Sequence, residues 1–108
     1  MKISERDIAE LDERIWWTNK TLQAVRRSIR ECRTEGEICC GSALDVRNFS
    51  QHLAGTYEGD QLAEFCWQIG EYPPYLHDLA DARIYLQDYL AALRQQQTTL
   101  QNTTKDRP

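Results

Sequence analysis

Apolar and small residues recur at alternating intervals of three and four from Ile8 to Cys32: Ile8, Leu11, Ile15, Thr18, Leu22, Val25, Ile29 and Cys32. This is an a/d heptad register, the mark of one long amphipathic helix with a continuous seam. Ser4 and Asp7 form a capping signal at its start, and Gly36 is a natural stop. Acids crowd the first turns (Glu5, Asp7, Glu10, Asp12, Glu13) and arginines the last (Arg26, Arg27, Arg30, Arg33), as a helix dipole prefers. The predicted helix covers about residues 4–34 and runs roughly 45 Å at 1.5 Å per residue.

Two short helices follow in the pattern. Val46, Phe49, Ser50 and Leu53 fall at i, i+3, i+4 and i+7, with Ser42 as candidate cap and Gly55 as stop. Leu62, Phe65, Cys66 and Ile69 repeat the template between Asp60 as cap and Gly70 as terminator. The segment "EYPPYL" forces an extended turn, because a residue before proline avoids helical geometry. The last helix, about 75–97, carries Leu76, Leu79, Arg83, Leu86, Leu90 and Leu93 on its stripe, with Leu100 continuing it and Tyr75, Ala82 and Tyr89 alongside. The expected fold is all-α: an antiparallel hairpin of two long helices with two short helices on one side, resembling a four-helix bundle. Residues 1–97 form one helical domain, and the polar stretch 98–108 is expected to be a disordered tail. Pairing of the long helices between two chains, as a homodimer, satisfies the same periodicity.

Composition fits this picture. The chain has 108 residues, 41% hydrophobic and 28% charged, with 5 Gly and 3 Pro, so breakers are too few for many short strands. The formal charge of -4 argues against nucleic-acid binding by the chain as a whole. No apolar run approaches the ~20 residues that span a bilayer. The stretch "MKISERDIAELDER" is acidic and amphipathic, unlike a secretory signal. The expectation is an intracellular, cytoplasmic protein whose Cys32, Cys39, Cys40 and Cys66 rest as thiols.

Trp16 and Trp17 lie beyond the first helix's seam, rotated from it by roughly 100° and 200°. One seam cannot bury both. The short helices can cover the pair, with Trp67 joining them; alternatively Trp17 stays outside as an anchor for a partner while Trp16 goes inside.

Candidate chemistry is sparse. Cys39 and Cys40 are adjacent, while Cys32, Cys66, His52 and His77 are scattered, so no zinc-knuckle spacing exists and no metal or cofactor is expected. No phosphate-cradling glycine loop, nucleophile elbow or paired-histidine helix motif occurs, and the expectation is a protein that is not an enzyme. Two charged features remain. Arg26, Arg30 and Arg33 share one side of the first helix as a basic ridge, and with Arg27 they are the candidate nucleic-acid contact. From Asn48 through Ala82 there is no Lys or Arg, whereas Glu58, Asp60, Glu64, Glu71, Asp78 and Asp81 are interleaved with Tyr57, Trp67, Tyr72 and Tyr75. With Trp17, these residues form the predicted partner-binding surface, an acidic-aromatic face that would steer toward a basic protein. Arg83 interrupts a leucine stripe and is expected to pair with an acid of the first helix.

The expected function is binding and occlusion of another protein, one that is basic and handles nucleic acid. An anti-CRISPR or anti-defence inhibitor from a mobile element is the most concrete version. The alternatives are a dimeric nucleic-acid-associated regulator using the arginine ridge, and a metal or redox sensor built on Cys39 and Cys40.

Overall fold

A computed structural model describes residues 5–35, 40–71 and 76–105. Its elements are α1 (Glu5–Glu35), α2 (Cys40–Ser50), a single 3₁₀ turn (Gln51–Leu53), α3 (Tyr57–Glu71) and α4 (Leu76–Lys105). There is no strand among the described residues, and the architecture is the all-α, four-helix arrangement expected. None of these helices is long and apolar enough to cross a membrane.

The long helices α1 and α4 run antiparallel, as three cross-contacts show. Gln97 donates to Asp12, Arg14 donates to Tyr89, and Arg83 shares a cleft with Arg26 and Arg30. Their seams meet as the heptads require. Thr18, Leu22, Val25 and Ile29 of α1 are buried, as are Leu79, Leu86, Leu90 and Leu93 of α4, and Ile15 packs against the same core. The seam opens toward its ends, where Ile8 and Leu76 are exposed. The molecule is elongated, 58 × 22 × 17 Å, with a radius of gyration of 15.8 Å against the ~13 Å of a compact chain near this length.

A second face of α1 is also covered. Trp17, Thr21, Ala24 and Ser28 follow one another at spacings of four, three and four, and Thr21, Ala24 and Ser28 are buried. This face turns toward α2, where Trp17 meets Phe49 and Arg27 meets Asp45. Small side chains let the helices approach closely, and the hydroxyls of Thr18 and Thr21 are satisfied by donating to the backbone carbonyls of Arg14 and Trp17. Only the Ser28 hydroxyl is buried without a partner among the described residues.

Several boundaries differ from expectation. Helix α2 begins at Cys40, so Ser42, the candidate cap, lies inside it, and α3 runs one residue past Gly70 to Glu71. The first short helix tightens into the 3₁₀ turn after Ser50, which places Leu53 fully inside. Helix α3 begins earlier than predicted, at Tyr57: Thr56 caps it by accepting from the Gly59 amide at 3.0 Å, and Asp60 instead accepts from the Gly55 amide at 2.9 Å. Gly55, at φ +119°, makes the turn between them. Helix α4 does not stop near residue 97. It continues to Lys105, so residues 98–105 are helical where a disordered tail was expected. Thr98 and Thr99 return their hydroxyl protons to the carbonyls of Arg94 and Gln95, and Leu100 stays half-buried on the extended stripe.

Helix α3 packs chiefly on α2 and touches α4 lightly. That imbalance leaves α3 and α4 splayed, and the space between them is the site described next.

Candidate functional site

Between α3 and α4 lies an open groove of about 480 Å³. Leu62 and Phe65 of α3 and Tyr85 and Tyr89 of α4 form its apolar surface; among the described residues, Glu58 and Asp88, one from each helix, are the charged residues that line it. The rings are ordered by contact. Phe65 and Tyr85 meet edge to face, with centroids 5.6 Å apart and planes at 82°. Tyr85 is 49% exposed, so a large apolar ring is offered to solvent at the groove mouth.

Tyr89 is held from behind by Arg14. The Arg14 guanidinium reaches out of α1 and donates to the Leu53 carbonyl, to the Ala54 carbonyl at 3.4 Å and to the Tyr89 hydroxyl at 3.3 Å. The Tyr89 hydroxyl also lies 3.3 Å from the Thr56 hydroxyl. One cation thus closes the carbonyl end of the 3₁₀ turn and fixes the groove's inner wall.

The expected acidic-aromatic face is only partly assembled. Glu58 lines the groove. Asp81 shares a face of α4 with Tyr85 and Asp88, at spacings of four and three, and extends the acidic rim along that helix. Tyr57, 75% exposed, stands at the start of α3 beside Glu58. Asp60, Glu64 and Trp67 follow a different strip of α3, rotated away from the groove. Trp67 does not stand free there, because the Arg47 guanidinium of α2 covers its ring at 3.4 Å. Asp78 is engaged by His77 at 3.2 Å. Tyr72 and Tyr75 lie outside the described residues, as do the side chains of Glu71 and Arg33.

The tryptophan pair is neither buried together nor split with Trp17 outside; Trp16 is the exposed member. Trp17 is half-buried: it stacks on His52 at 3.6 Å with planes 10° apart and packs against the core through Phe49. Trp16 is outside, 52% exposed, touching Trp17 edge-on at 4.7 Å and carrying Lys20 5.3 Å above its ring. The reason is the second covered face of α1, which includes position 17 and turns position 16 away. Phe65, Tyr85, Asp88 and Tyr89 were missed as groove residues. The spacing Asp81, Tyr85, Asp88, Ala92 places an acid-aromatic strip on α4 beside the leucine stripe, and that spacing is their signal in the sequence.

Arg83 forms no ion pair with a carboxylate among the described residues. It faces the other arginines instead, in a cleft of α1 and α4 lined by Gln23, Arg26, Arg27, Ile29 and Arg30. Cys66 is a core residue, and burial pushes its thiol up to about 12 despite a hydrogen bond with Ser50 that acts the other way. That thiol is not a nucleophile near neutral pH. Among the described residues no group of three or more His, Cys, Asp or Glu side chains is placed to hold a metal ion. The side chains of Cys32, Cys39 and Cys40 lie outside the described residues.

No known protein family, curated protein or solved structure matches this chain, so function is argued from the surfaces themselves.

Proposed function

We propose that this protein is a small, acidic, non-enzymatic binding protein that seats a basic amphipathic segment of another protein in the groove between α3 and α4. The observation that carries the reading is the groove's construction: an apolar surface of Leu62, Phe65, Tyr85 and Tyr89 whose charged lining, among the described residues, is the carboxylates Glu58 and Asp88. A helix that lays apolar residues on such a surface and sets Lys or Arg beside each rim satisfies both features at once. The absence of Lys and Arg from Asn48 through Ala82 extends the same sign of charge around the groove and would speed encounter with a positive surface. Positive surfaces are typical of proteins that handle nucleic acid. Occupying one would block the phosphates it is meant for, and an anti-CRISPR or other anti-defence inhibitor is the concrete form such occlusion takes. Trp16, rather than Trp17, is the tryptophan available for contact.

The test is affinity purification of the tagged protein, with a Glu58→Lys/Asp88→Lys variant beside wild type. The bound partner is then titrated in purified form. The expected partner is basic, binds wild type more weakly as salt rises, and loses at least about tenfold in affinity to the double variant, as expected when charge complementarity is reversed. A partner whose affinity ignores both salt and the double substitution would show that the groove is not the binding surface.

A further inference from the structure

The arginine cleft lies on the flank of α4 opposite the groove. Around α4, Arg83 falls on one side of the buried stripe Leu79, Leu86, Leu90, while Tyr85, Asp88 and Tyr89 fall on the other. The cleft holds about 560 Å³ and draws cations from both long helices: Arg26, Arg27 and Arg30 from α1, and Arg83 from α4. Among the described residues no carboxylate lines it. Arg27 is tied to Asp45 at 3.7 Å across to α2, whereas Arg26 and Arg83 have no ion pair among the described residues. Holding Arg26 and Arg83 beside one concavity is unfavourable unless an anion is there to neutralise them. Guanidinium groups match phosphate oxygens with two parallel hydrogen bonds each, which a lone positive point charge cannot do.

We propose that this cleft is a binding site for a short polyphosphate chain, free or carried by a nucleotide. The extent of the positive surface selects that class over a long nucleic acid. Arg26 and Arg30 are one helical turn apart, about 6 Å along α1, and Arg83 closes the far side. Among the described residues this spans a few adjacent phosphates. A longer strand would leave the cleft for a protein whose net charge is -4 and would be repelled there. Arg83 is the feature that turns a ridge on one helix into a two-walled site, which also accounts for a guanidinium in a leucine stripe.

Calorimetric titration at low salt tests this with inorganic tripolyphosphate, ATP and a short oligothymidylate, against wild type, Arg26→Gln, Arg83→Gln and Arg94→Gln. Arg94 is an exposed arginine of α4 that does not line the cleft. Circular dichroism melts check that each variant is folded. Tripolyphosphate is expected to bind one to one, and Arg26→Gln and Arg83→Gln are each expected to weaken it about tenfold, the loss of one charge-assisted contact. Arg94→Gln should leave it unchanged. Equal affinity for ATP and tripolyphosphate supports recognition of the phosphate chain alone, and tighter ATP binding supports a nucleotide source. Three outcomes overturn the proposal: no binding by tripolyphosphate or ATP, affinity that folded Arg83→Gln leaves intact, or an oligothymidylate that outcompetes both.

Discussion

Gly59 shows how closely one residue can be constrained by its surroundings. A β-carbon there would stand 1.9 Å from the Leu53 carbonyl oxygen, 2.8 Å from the Thr56 hydroxyl and 2.9 Å from the Arg14 guanidinium. The carbonyl is backbone and cannot swing away, so Gly59→Ala must push the start of α3 off the 3₁₀ turn. The expected cost is more than about 2 kcal/mol, read from urea denaturation, because overpacking and a broken cap act together. Cys66 supplies a pH signature. Its thiol rises from 9.0 to about 12 on folding, through burial first. The folded state therefore keeps its proton where the unfolded chain has lost it, so this contribution is constant below pH 9 and stability falls as pH rises from 9 toward 12. Cys66→Ala should flatten that alkaline limb in melts followed by circular dichroism, at the expense of a lower plateau from the cavity it leaves.

At the scale of the element, the seams of α1 and α4 were legible because a buried stripe on a long helix repeats every three or four residues whatever lies opposite. Leu22, Val25, Ile29, Leu79, Leu86 and Leu90 are all buried as their spacing demands. The second face of α1 was not legible, since Thr21, Ala24 and Ser28 carry little hydrophobic signal; they are buried because α2 needs small neighbours to come close. The end of α4 was misjudged for a related reason. Gln and Thr looked like a tail, yet Gln97 bridges to Asp12 and the threonines bond within their own helix. Arg83 belongs here as well. Because it has no carboxylate partner among the described residues and stands among like charges, Arg83→Met is expected to leave stability unchanged or raise it by up to about 1 kcal/mol in urea denaturation, as for relief of surface repulsion. A loss of 3 kcal/mol or more, the usual cost of breaking a buried pair, would show that the side chain is tied into a network instead.

Over the whole molecule, the two long helices make an elongated frame of 58 Å, and α2 and α3 cover only part of it. Charge is distributed unevenly on that frame. The groove between α3 and α4 presents acid beside aromatic rings, and the cleft between α1 and α4 presents arginine. The two lie on opposite flanks of α4, so the modest net charge of -4 conceals two surfaces of opposite character. Such a division favours contacts that are directional and sensitive to salt, because each surface attracts what the other repels.

The amino-acid pattern alone was enough to specify the number of helices and the buried stripe of each long one, since helical periodicity is a local property; that the two stripes meet within one chain was decided by the tertiary fold. Tertiary packing decided which tryptophan faces water, which acids share a groove and what Arg83 looks toward. These depend on which second face of a helix a neighbour happens to cover. A residue's spacing records the direction in which it points, but only the placement of α2 and α3 determines whether protein or solvent lies in that direction.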